Sequence, residues 1–138
     1  MKTSLYLLTV LSFLFMSCNS QTSKKVELVS VTEFSQKIMA TPKAQIIDVR
    51  TPEEFESGHI DDSQNINWLG SDFEKSATTL DKSKPVFVYC KVGGRSAKAA
   101  AKLNEMGFTQ IYDLDGGFLK WESAGMVIPS DKIIGLNP

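Results

Sequence analysis

Short apolar runs alternate with segments of helical periodicity along most of the chain. Two of these runs, residues 45–49 and 85–89, are almost continuously apolar, which is typical of strands buried on both faces of a sheet. Weaker runs predict three further strands over residues 26–29, 65–67 and 111–114. Because strands and helices alternate, the pattern predicts an α/β fold with a parallel sheet of about five strands and helices on both faces.

The starts of the predicted helices carry capping signals. Ser30, Thr51 and Ser71 are each followed by a glutamate three positions later, and the second helix also has a proline at its first position. We expect the second helix to end at Gly58 and the third to fade near Leu80. Two further helices are predicted over residues 96–106 and 118–124.

The first 17 residues have the pattern of an export signal. A short positive start at Lys2 precedes an apolar run over residues 5–15, which is too short to span a bilayer. The following segment, Phe15-Met16-Ser17-Cys18, resembles the lipobox of bacterial lipoproteins. An ordinary secretory peptide with a chance cysteine is the alternative interpretation.

The lipobox resemblance implies an organisation for the whole chain. Residues 1–17 would be a lipoprotein signal peptide, Cys18 the lipidated N-terminus, residues 18–25 a polar tether and residues 26–138 the folded domain. We therefore expect an exported protein, anchored through lipid in the bacterial cell envelope and facing the periplasm.

Composition excludes several classes of function. A formal net charge of -1 gives no basic footprint for nucleic acid. Two cysteines and one histidine are too few for a four-ligand zinc site, so no metal is expected. If Cys18 carries lipid, Cys90 is the one free thiol of the exported protein and a candidate reactive group.

Candidate chemistry concentrates where the strand over residues 85–89 meets the next helix, in the segment CKVGGRS (residues 90–96). Ligands of open parallel sheets bind outside the carboxyl ends of the strands, and Cys90 stands at such an end. Glycines let backbone amides turn inward, and the next helix, expected to begin near Ser96, adds its positive N-terminus. With the cationic Lys91 and Arg95, these features favour a thiolate, so we expect a lowered pKa for Cys90. The segment is equally compatible with a small buried cysteine before an ordinary turn.

Three segments, in order and at matching spacing, resemble the single-domain rhodanese family of sulfurtransferases. Residues 46–60 (IIDVRTPEEFESGHI) are similar to the family's early motif, and CKVGGRS is similar to its persulfide-forming loop. Residues 114–121 (LDGGFLKW) resemble its glycine-glycine-tryptophan signature. The chain departs from the family at Lys91, where many members have arginine, and at residues 61–63 (DDS), where the family often has Pro-Gly-Ala. The resemblance implies a single rhodanese-like domain.

The resemblance also implies roles for the loop residues. Cys90 matches the nucleophile that carries a sulfane sulfur as a persulfide. The substrate-binding residues would be Lys91, Val92, Gly93, Gly94 and Arg95. The implied reaction moves a sulfane sulfur from thiosulfate or a persulfide donor to a thiol or another thiophilic acceptor, without a cofactor. The implied partners are small sulfur-containing anions and thiol acceptors, together with the membrane through the lipid anchor.

Residues outside the loop are expected to be structural. Asp48 and Arg50 stand at a strand end, where such a pair orders the following loop. His59, the only histidine of the chain, is expected to make a hydrogen bond near the next strand. Trp121 is expected in the core, and Asp115 is expected to hold the following Gly-Gly turn through its side chain.

Two other functional classes stay open. Phosphatases and arsenate reductases of related fold use a loop one residue longer than the one between Cys90 and Arg95. The shorter loop gives a ring of amides that suits one sulfur atom better than a tetrahedral phosphate. A non-catalytic binding module at the membrane is the other alternative, although such modules usually lose the cysteine.

Overall fold

A computed structural model of the protein describes residues 25–126. The predictions for the signal peptide, for Cys18 and for the tether up to residue 24 lie outside this range, as does the end of the domain beyond residue 126. Among the described residues, no helix has the length and apolar character needed to cross a membrane.

Within residues 25–126, five parallel strands form one sheet in the order β1-β5-β4-β2-β3. The strands are β1 (Lys25–Val29), β2 (Gln45–Asp48), β3 (Gln64–Asn65), β4 (Val86–Tyr89) and β5 (Gln110–Leu114). The strand β4 lies between β2 and β5, and all of its residues are buried. The predicted α/β fold with a five-stranded parallel sheet is confirmed, with strand bounds shifted by one or two residues.

The described helices cover both faces of the sheet, as predicted. They are α1 (Val31–Ala40), α2 (Pro52–Glu56), α3 (Phe73–Ala77), α4 (Gly94–Glu105) and α5 (Gly117–Ser123). On one face, Val86 and Val88 of β4 pack with residues of α3 and α4. On the other face, Phe87 and Tyr89 pack with residues of α1 and α5, including Trp121. The prediction that Trp121 belongs to the core is therefore confirmed.

Two of the three predicted capping signals function as expected. The Ser30 hydroxyl accepts a hydrogen bond from the Glu33 amide at the start of α1. At the start of α2, the Thr51 hydroxyl accepts from the Glu54 amide, and the Glu54 carboxylate accepts from the Thr51 amide. These reciprocal bonds satisfy donors that the helix itself leaves unpaired.

The predicted start of α3 is wrong. The helix begins at Phe73 after Asp72, whose side chain bonds the Ser76 hydroxyl rather than an amide of the first turn, so Ser71 does not form a capping box. The helix also ends at Ala77, before Leu80. Burial of Phe73 and Ala77 against the sheet, rather than a capping signal, sets this short helix.

The helix α4 begins at Gly94, two residues before the predicted start at Ser96. Gly93 precedes the helix in the left-handed region, with a φ of 112°, a conformation that favours glycine. This turn folds the chain back directly after Cys90. Ser96 consequently lies inside the first turn of α4, where its side chain is fully buried.

Candidate active site

The strand β4 delivers Cys90 to the carboxyl edge of the sheet. Its side chain is 1% exposed and belongs to the core on the α4 face. The backbone around it is held by the start of α5, because the Phe118 amide donates to the Cys90 carbonyl at 2.8 Å. The Leu119 amide donates to the Lys91 carbonyl at 3.2 Å. Two hydrogen bonds from α5 therefore fix the beginning of the loop.

Gly117 makes this close approach of α5 possible. It has a φ of 60°, and a Cβ atom added there would lie 2.5 Å from the Cys90 carbonyl oxygen. The same Cβ would lie 2.6 Å from the backbone of Lys91, so a side chain at Gly117 would displace the loop. The Gly-Gly turn after β5 is thus a steric requirement of the cysteine loop.

Hydrogen-bonding groups surround the sulfur of Cys90. The Gly93 amide donates to Sγ at 3.1 Å, and the thiol donates to the Ser96 hydroxyl, 3.5 Å from Sγ. The Ser96 hydroxyl donates in turn to the Gly93 carbonyl. Burial raises the pKa of the thiol, but the Ser96 hydroxyl and three backbone amides outweigh it and lower the pKa. The amides are those of Ser96, Gly93 and Val92. The shift has the direction that the sequence indicated.

The cause of the lowered Cys90 pKa differs from the expected one. The main stabilising groups are hydrogen-bonding groups of the loop rather than the cations Lys91 and Arg95. Arg95 forms a bidentate pair with Glu54, with nitrogen–oxygen distances of 2.6 and 2.8 Å. Its guanidinium charge still interacts with Cys90, but it is balanced by the Glu54 carboxylate. Lys91 is exposed and forms no ion pair within the described part of the chain.

Glu54 is the residue of the site that sequence reasoning missed as a contact of the loop. Its bonds with Arg95 and the Thr51 amide lower the pKa of Glu54 to about 2, against the opposing effect of burial. The Glu54 carboxylate therefore caps the start of α2 and also forms an ion pair with Arg95 in the first turn of α4. The glutamate was visible in the sequence as part of a helix start, but nothing there indicated its partner across 41 positions.

The other candidate loop residues lie at the surface or in the turn. Val92 is 63% exposed beside the sulfur. A Cβ atom at Gly93 or Gly94 would meet no described neighbour within 4 Å, so the left-handed φ is what favours glycine at Gly93. Within residues 25–126 there is no cluster of histidine, cysteine and carboxylate side chains that would hold a metal ion.

Asp48 and Arg50 form a buried pair on the opposite face of the sheet. The Arg50 guanidinium donates to both carboxylate oxygens of Asp48 and, at 2.6 Å, to the Gly58 carbonyl. It also lies over the Phe118 ring, 4.2 Å from the ring centroid. The Asn65 amide bridges the carbonyls of Asp48 and Arg50. The pair orders the segment after β2, which confirms the structural interpretation.

His59 and Asp115 make local contacts. The His59 ring stacks on Phe55 at a centroid distance of 3.8 Å, and its Nδ1 lies 2.9 Å from the Phe55 carbonyl. The structural interpretation of His59 is confirmed, although its partner lies in α2. The expectation for Asp115 is wrong, because its carboxylate pairs with Lys120. The turn after Asp115 is instead made by two left-handed glycines.

Comparison with known proteins identifies the family of the chain. Residues 30–124 match the Rhodanese-like domain family. This chain belongs to the rhodanese-like domain family. The chain is similar to the uncharacterized protein YqhL of Bacillus subtilis, which is 39% identical over 106 residues, covering 70% of this chain and 82% of YqhL.

The chain is also similar to a named enzyme and to a solved structure. The thiosulfate sulfurtransferase GlpE of Pseudomonas aeruginosa is 41% identical over 93 residues, covering 67% of this chain and 79% of GlpE. The crystal structure of a rhodanese-related protein from Thermoplasma volcanium superposes with a TM-score of 0.64 at 30% identity. That match covers 74% of this chain and 98% of the other. The family match over residues 30–124 includes the strands β2 to β5 and the cysteine loop.

Proposed function

We propose that this rhodanese-like protein is a sulfurtransferase that carries a sulfane sulfur on Cys90. The observation that carries the proposal is the environment of the Cys90 sulfur. Its pKa is lowered by a hydroxyl and three amides, which stabilise a negative charge at the end of β4. The likeness to GlpE, which is a thiosulfate sulfurtransferase, supports thiosulfate as a donor to test first.

The first step loads the sulfur. The Cys90 thiolate attacks the outer sulfur of thiosulfate, a sulfur–sulfur bond forms, and the bond from that sulfur to the sulfonate group breaks. Sulfite leaves with the electron pair of the broken bond, and Cys90 keeps the added sulfur as a persulfide anion. The negative charge moves to the outer sulfur, where backbone amides that face the crevice stabilise it.

The second step unloads the sulfur. The thiolate of an acceptor attacks the outer sulfur of the persulfide, and the Cys90 thiolate leaves with the electron pair. The donors at Gly93 and Ser96 then stabilise the leaving group as they stabilised the nucleophile. Small sulfur-containing anions and thiols are the proposed partners, and the reaction needs no cofactor.

Lys91 is the proposed binding residue for the anionic donor. It is exposed beside the sulfur, whereas the charge of Arg95 is balanced by Glu54. Arg95 therefore holds the shape of the loop, and Lys91 supplies the charge that attracts thiosulfate. The exposed Val92 and the backbone of Gly93 and Gly94 form the rest of the proposed binding loop.

The proposal is tested by measuring the intact mass of the purified protein before and after incubation with thiosulfate. The wild-type protein should gain the mass of one sulfur atom and release it to cyanide as thiocyanate. Cys90→Ser should gain nothing. Lys91→Ala should load sulfur about tenfold more slowly, while Lys98→Ala, which removes an exposed lysine of α4, should load at the wild-type rate.

Two results would overturn the proposal. A wild-type protein that takes up no sulfur from thiosulfate or from a low-molecular-weight persulfide would favour the non-catalytic binding module. Hydrolysis of an aryl phosphate that disappears in Cys90→Ser would favour the phosphatase class. Both measurements use the same protein preparation and the same variant.

We further propose that the protein is exported and lipidated at Cys18. The support is the lipobox-like segment over residues 15–18 and the polar stretch over residues 19–24 that separates it from β1. The native protein should partition into detergent, and Cys18→Ala should release it into the aqueous phase. Recovery of unmodified wild-type protein that has been cut at another position would contradict lipidation.

A further inference from the structure

The first turn of α4 places a guanidinium close to the sulfur of Cys90. Along the chain, Arg95 stands between Gly93, whose amide donates to Sγ at 3.1 Å, and Ser96, whose hydroxyl lies 3.5 Å from Sγ. The Arg95 side chain is 24% exposed, so a molecule in the solvent can reach its charge. A guanidinium in this place has the geometry and the charge to bind a doubly charged oxyanion such as thiosulfate.

Glu54 occupies the guanidinium that an anionic donor would use. Its two carboxylate oxygens accept from the two terminal nitrogens of Arg95, at 2.6 and 2.8 Å. One of these oxygens, Oε2, also accepts from the Thr51 amide at 3.0 Å. The carboxylate is therefore fixed to the backbone at the start of α2 as well as to the guanidinium.

This pairing sets the charge at the entrance to the site, which is the surface formed by residues 91–95 and Glu54. The Cys90 thiolate and Glu54 each contribute one negative charge. The exposed Lys91 and the partly exposed Arg95 each contribute one positive charge. The four charges sum to zero, so a dianion meets an entrance without the net positive charge that would attract it strongly.

Two exposed apolar side chains belong to the same region. Val92 is 63% exposed and follows Lys91 in the loop. Leu119 is 44% exposed, and its amide donates to the Lys91 carbonyl at 3.2 Å. Apolar groups beside a binding loop favour a ligand that has an organic group over a strongly hydrated inorganic dianion. The compensated guanidinium and the apolar side chains thus favour the same kind of donor.

We propose that Glu54 is a specificity-determining residue, which keeps Arg95 from binding anionic donors and so favours organic sulfur donors of low charge. The carboxylate acts through Arg95 and does not touch the donor, so its role is positioning. The Cys90 thiolate attacks the outer sulfur of the donor, a sulfur–sulfur bond forms, and the organic thiolate or sulfinate leaves with the electron pair of the broken bond. This inference rests on the proposed function for the transfer step only.

The first test compares two alkylating reagents of similar size, the anion iodoacetate and the neutral iodoacetamide. It uses the full chain carrying Cys18→Ala, in which Cys90 is the one remaining cysteine. Both reagents react with the same thiolate, so the ratio of their rates cancels any change in the pKa of Cys90. Glu54→Gln leaves the Arg95 charge uncompensated and should raise the iodoacetate-to-iodoacetamide ratio about threefold at low ionic strength.

Three further variants show whether this effect acts through Arg95. The double variant with Glu54→Gln and Arg95→Gln lacks both charges, so its ratio should return to the parent value. Glu54→Asp keeps the negative charge and should also stay near the parent value. Glu53→Gln removes an exposed charge from the same helix and should change the ratio by less than about 1.5-fold.

Two results of this first test would overturn the proposal. A purely structural role of Glu54 would change the rates of both reagents by the same factor in Glu54→Gln and leave their ratio unaltered. A ratio that stays raised in the double variant would mean that the effect does not depend on Arg95.

The second test compares two sulfur donors of similar shape. Thiosulfate is a dianion that releases sulfite, and methanethiosulfonate is a monoanion, with methyl in place of one oxygen, that releases methanesulfinate. Because the electrostatic potential acts on each unit of charge, Glu54→Gln should lower KM about tenfold for thiosulfate and about threefold for methanethiosulfonate. The kcat values should change less than about twofold. Equal changes in KM for the two donors would overturn the proposal.

A third measurement needs no change at Glu54 and covers the case in which its variants do not fold. The iodoacetate-to-iodoacetamide ratio of the parent chain should be almost independent of ionic strength, because the charges at the entrance sum to zero. In Lys91→Ala the ratio should rise with added salt. A parent ratio that falls as salt is added would show that Arg95 attracts anions despite Glu54, and it would overturn the proposal.

The alkylation experiments need no sulfur transfer, so they separate this proposal from the proposed function. A chain in which Glu54→Gln raises the iodoacetate-to-iodoacetamide ratio as expected, but which loads sulfur from neither donor, would count against the sulfurtransferase alone. A chain that loads sulfur from both donors with the same preference in Glu54→Gln as in the parent would count against the role of Glu54 alone.

Discussion

Asp48 and Asp113 lie on the two strands that flank β4, and they differ in how their charge is compensated. Asp48 faces the α1 and α5 side of the sheet and is held by the Arg50 guanidinium through both of its oxygens. Asp113 faces the α4 side, has no cation, and leaves one oxygen without a partner. Both side chains are almost completely buried.

This difference in charge compensation distinguishes the two faces of the sheet. The Asp48–Arg50 pair stabilises the fold on one face, and Asp113 lies on the face that also contains Cys90. The Asp48 carboxylate is held in one geometry by the Arg50 guanidinium, so the pair ties β2 to the segment that follows it. A partly paired carboxylate keeps a proton that it can exchange near neutral pH. The domain therefore has a fully paired buried carboxylate under α5 and an incompletely paired one under α4.

Breaking the Asp48–Arg50 pair should have the largest effect on stability. Arg50→Met leaves the fully buried Asp48 carboxylate without its cation and releases the Gly58 carbonyl, and it should cost about 3–5 kcal/mol of unfolding free energy. Urea unfolding measures the loss. Lys84→Met, which breaks the exposed pair with Asp81, is the control and should cost less than about 1 kcal/mol. Equal losses would mean that burial does not distinguish the two pairs.

Removing the charge of Asp113 should increase the unfolding free energy relative to wild type as pH rises, whereas breaking the Asp48–Arg50 pair lowers it. Its folded pKa of about 6 lies above the ordinary value of 3.8, so the folded protein retains a proton that the unfolded chain releases. The wild-type protein should lose stability as pH rises between these values. The stability of Asp113→Asn relative to wild type should therefore increase by about 3 kcal/mol from acid to mildly alkaline pH. A relative stability that is independent of pH, measured by urea unfolding, would show that the carboxylate has another source of compensation.

The fold was largely predictable because it depends on patterns that are local in the chain. The strands β2 and β4 are continuous apolar runs, and the cysteine loop follows directly from the end of β4. The cap at Thr51 formed, whereas the similar pattern at Ser71 did not, because burial of Phe73 determines where α3 begins. A capping signal is worth about 1 kcal/mol, which is less than the burial of a phenylalanine.

The polar contacts of the site were not predictable, because they join residues that are distant in sequence. Glu54 and Arg95 meet only because α2 and the first turn of α4 lie at the same edge of the sheet. Ser96 was visible as the last residue of the loop motif, but its orientation towards the sulfur depends on α4 beginning at Gly94.

Breaking the Glu54–Arg95 pair should change the unfolding free energy less than the changes expected at the two buried carboxylates. Glu54→Gln keeps the size of the side chain but removes its charge, and it should cost about 1 kcal/mol near neutral pH, since the pair is partly exposed. The folded pKa of Glu54 is lowered to about 2 from 4.5, so the stabilisation is present above 4.5 and is lost as pH falls towards 2. Stability curves of the variant and the wild type should converge at acid pH. Glu53→Gln, on the exposed side of α2, is the control and should show no such convergence.

The smallest expected effect is that of Asp62→Gly, in the segment where the family often has glycine. Asp62 has a φ of 61°, in the left-handed region, and the flanking Ile60 amide and Ser63 hydroxyl bond the Tyr89 hydroxyl. Asp62→Gly relieves backbone strain but increases the entropy of the unfolded chain, and these effects offset to within about 0.5 kcal/mol. Asp62→Val, which is excluded from that region by its branched Cβ, should destabilise by about 1–2 kcal/mol. A large loss in Asp62→Gly would mean that the Asp62 carboxylate itself, rather than the backbone turn, holds this segment to β4.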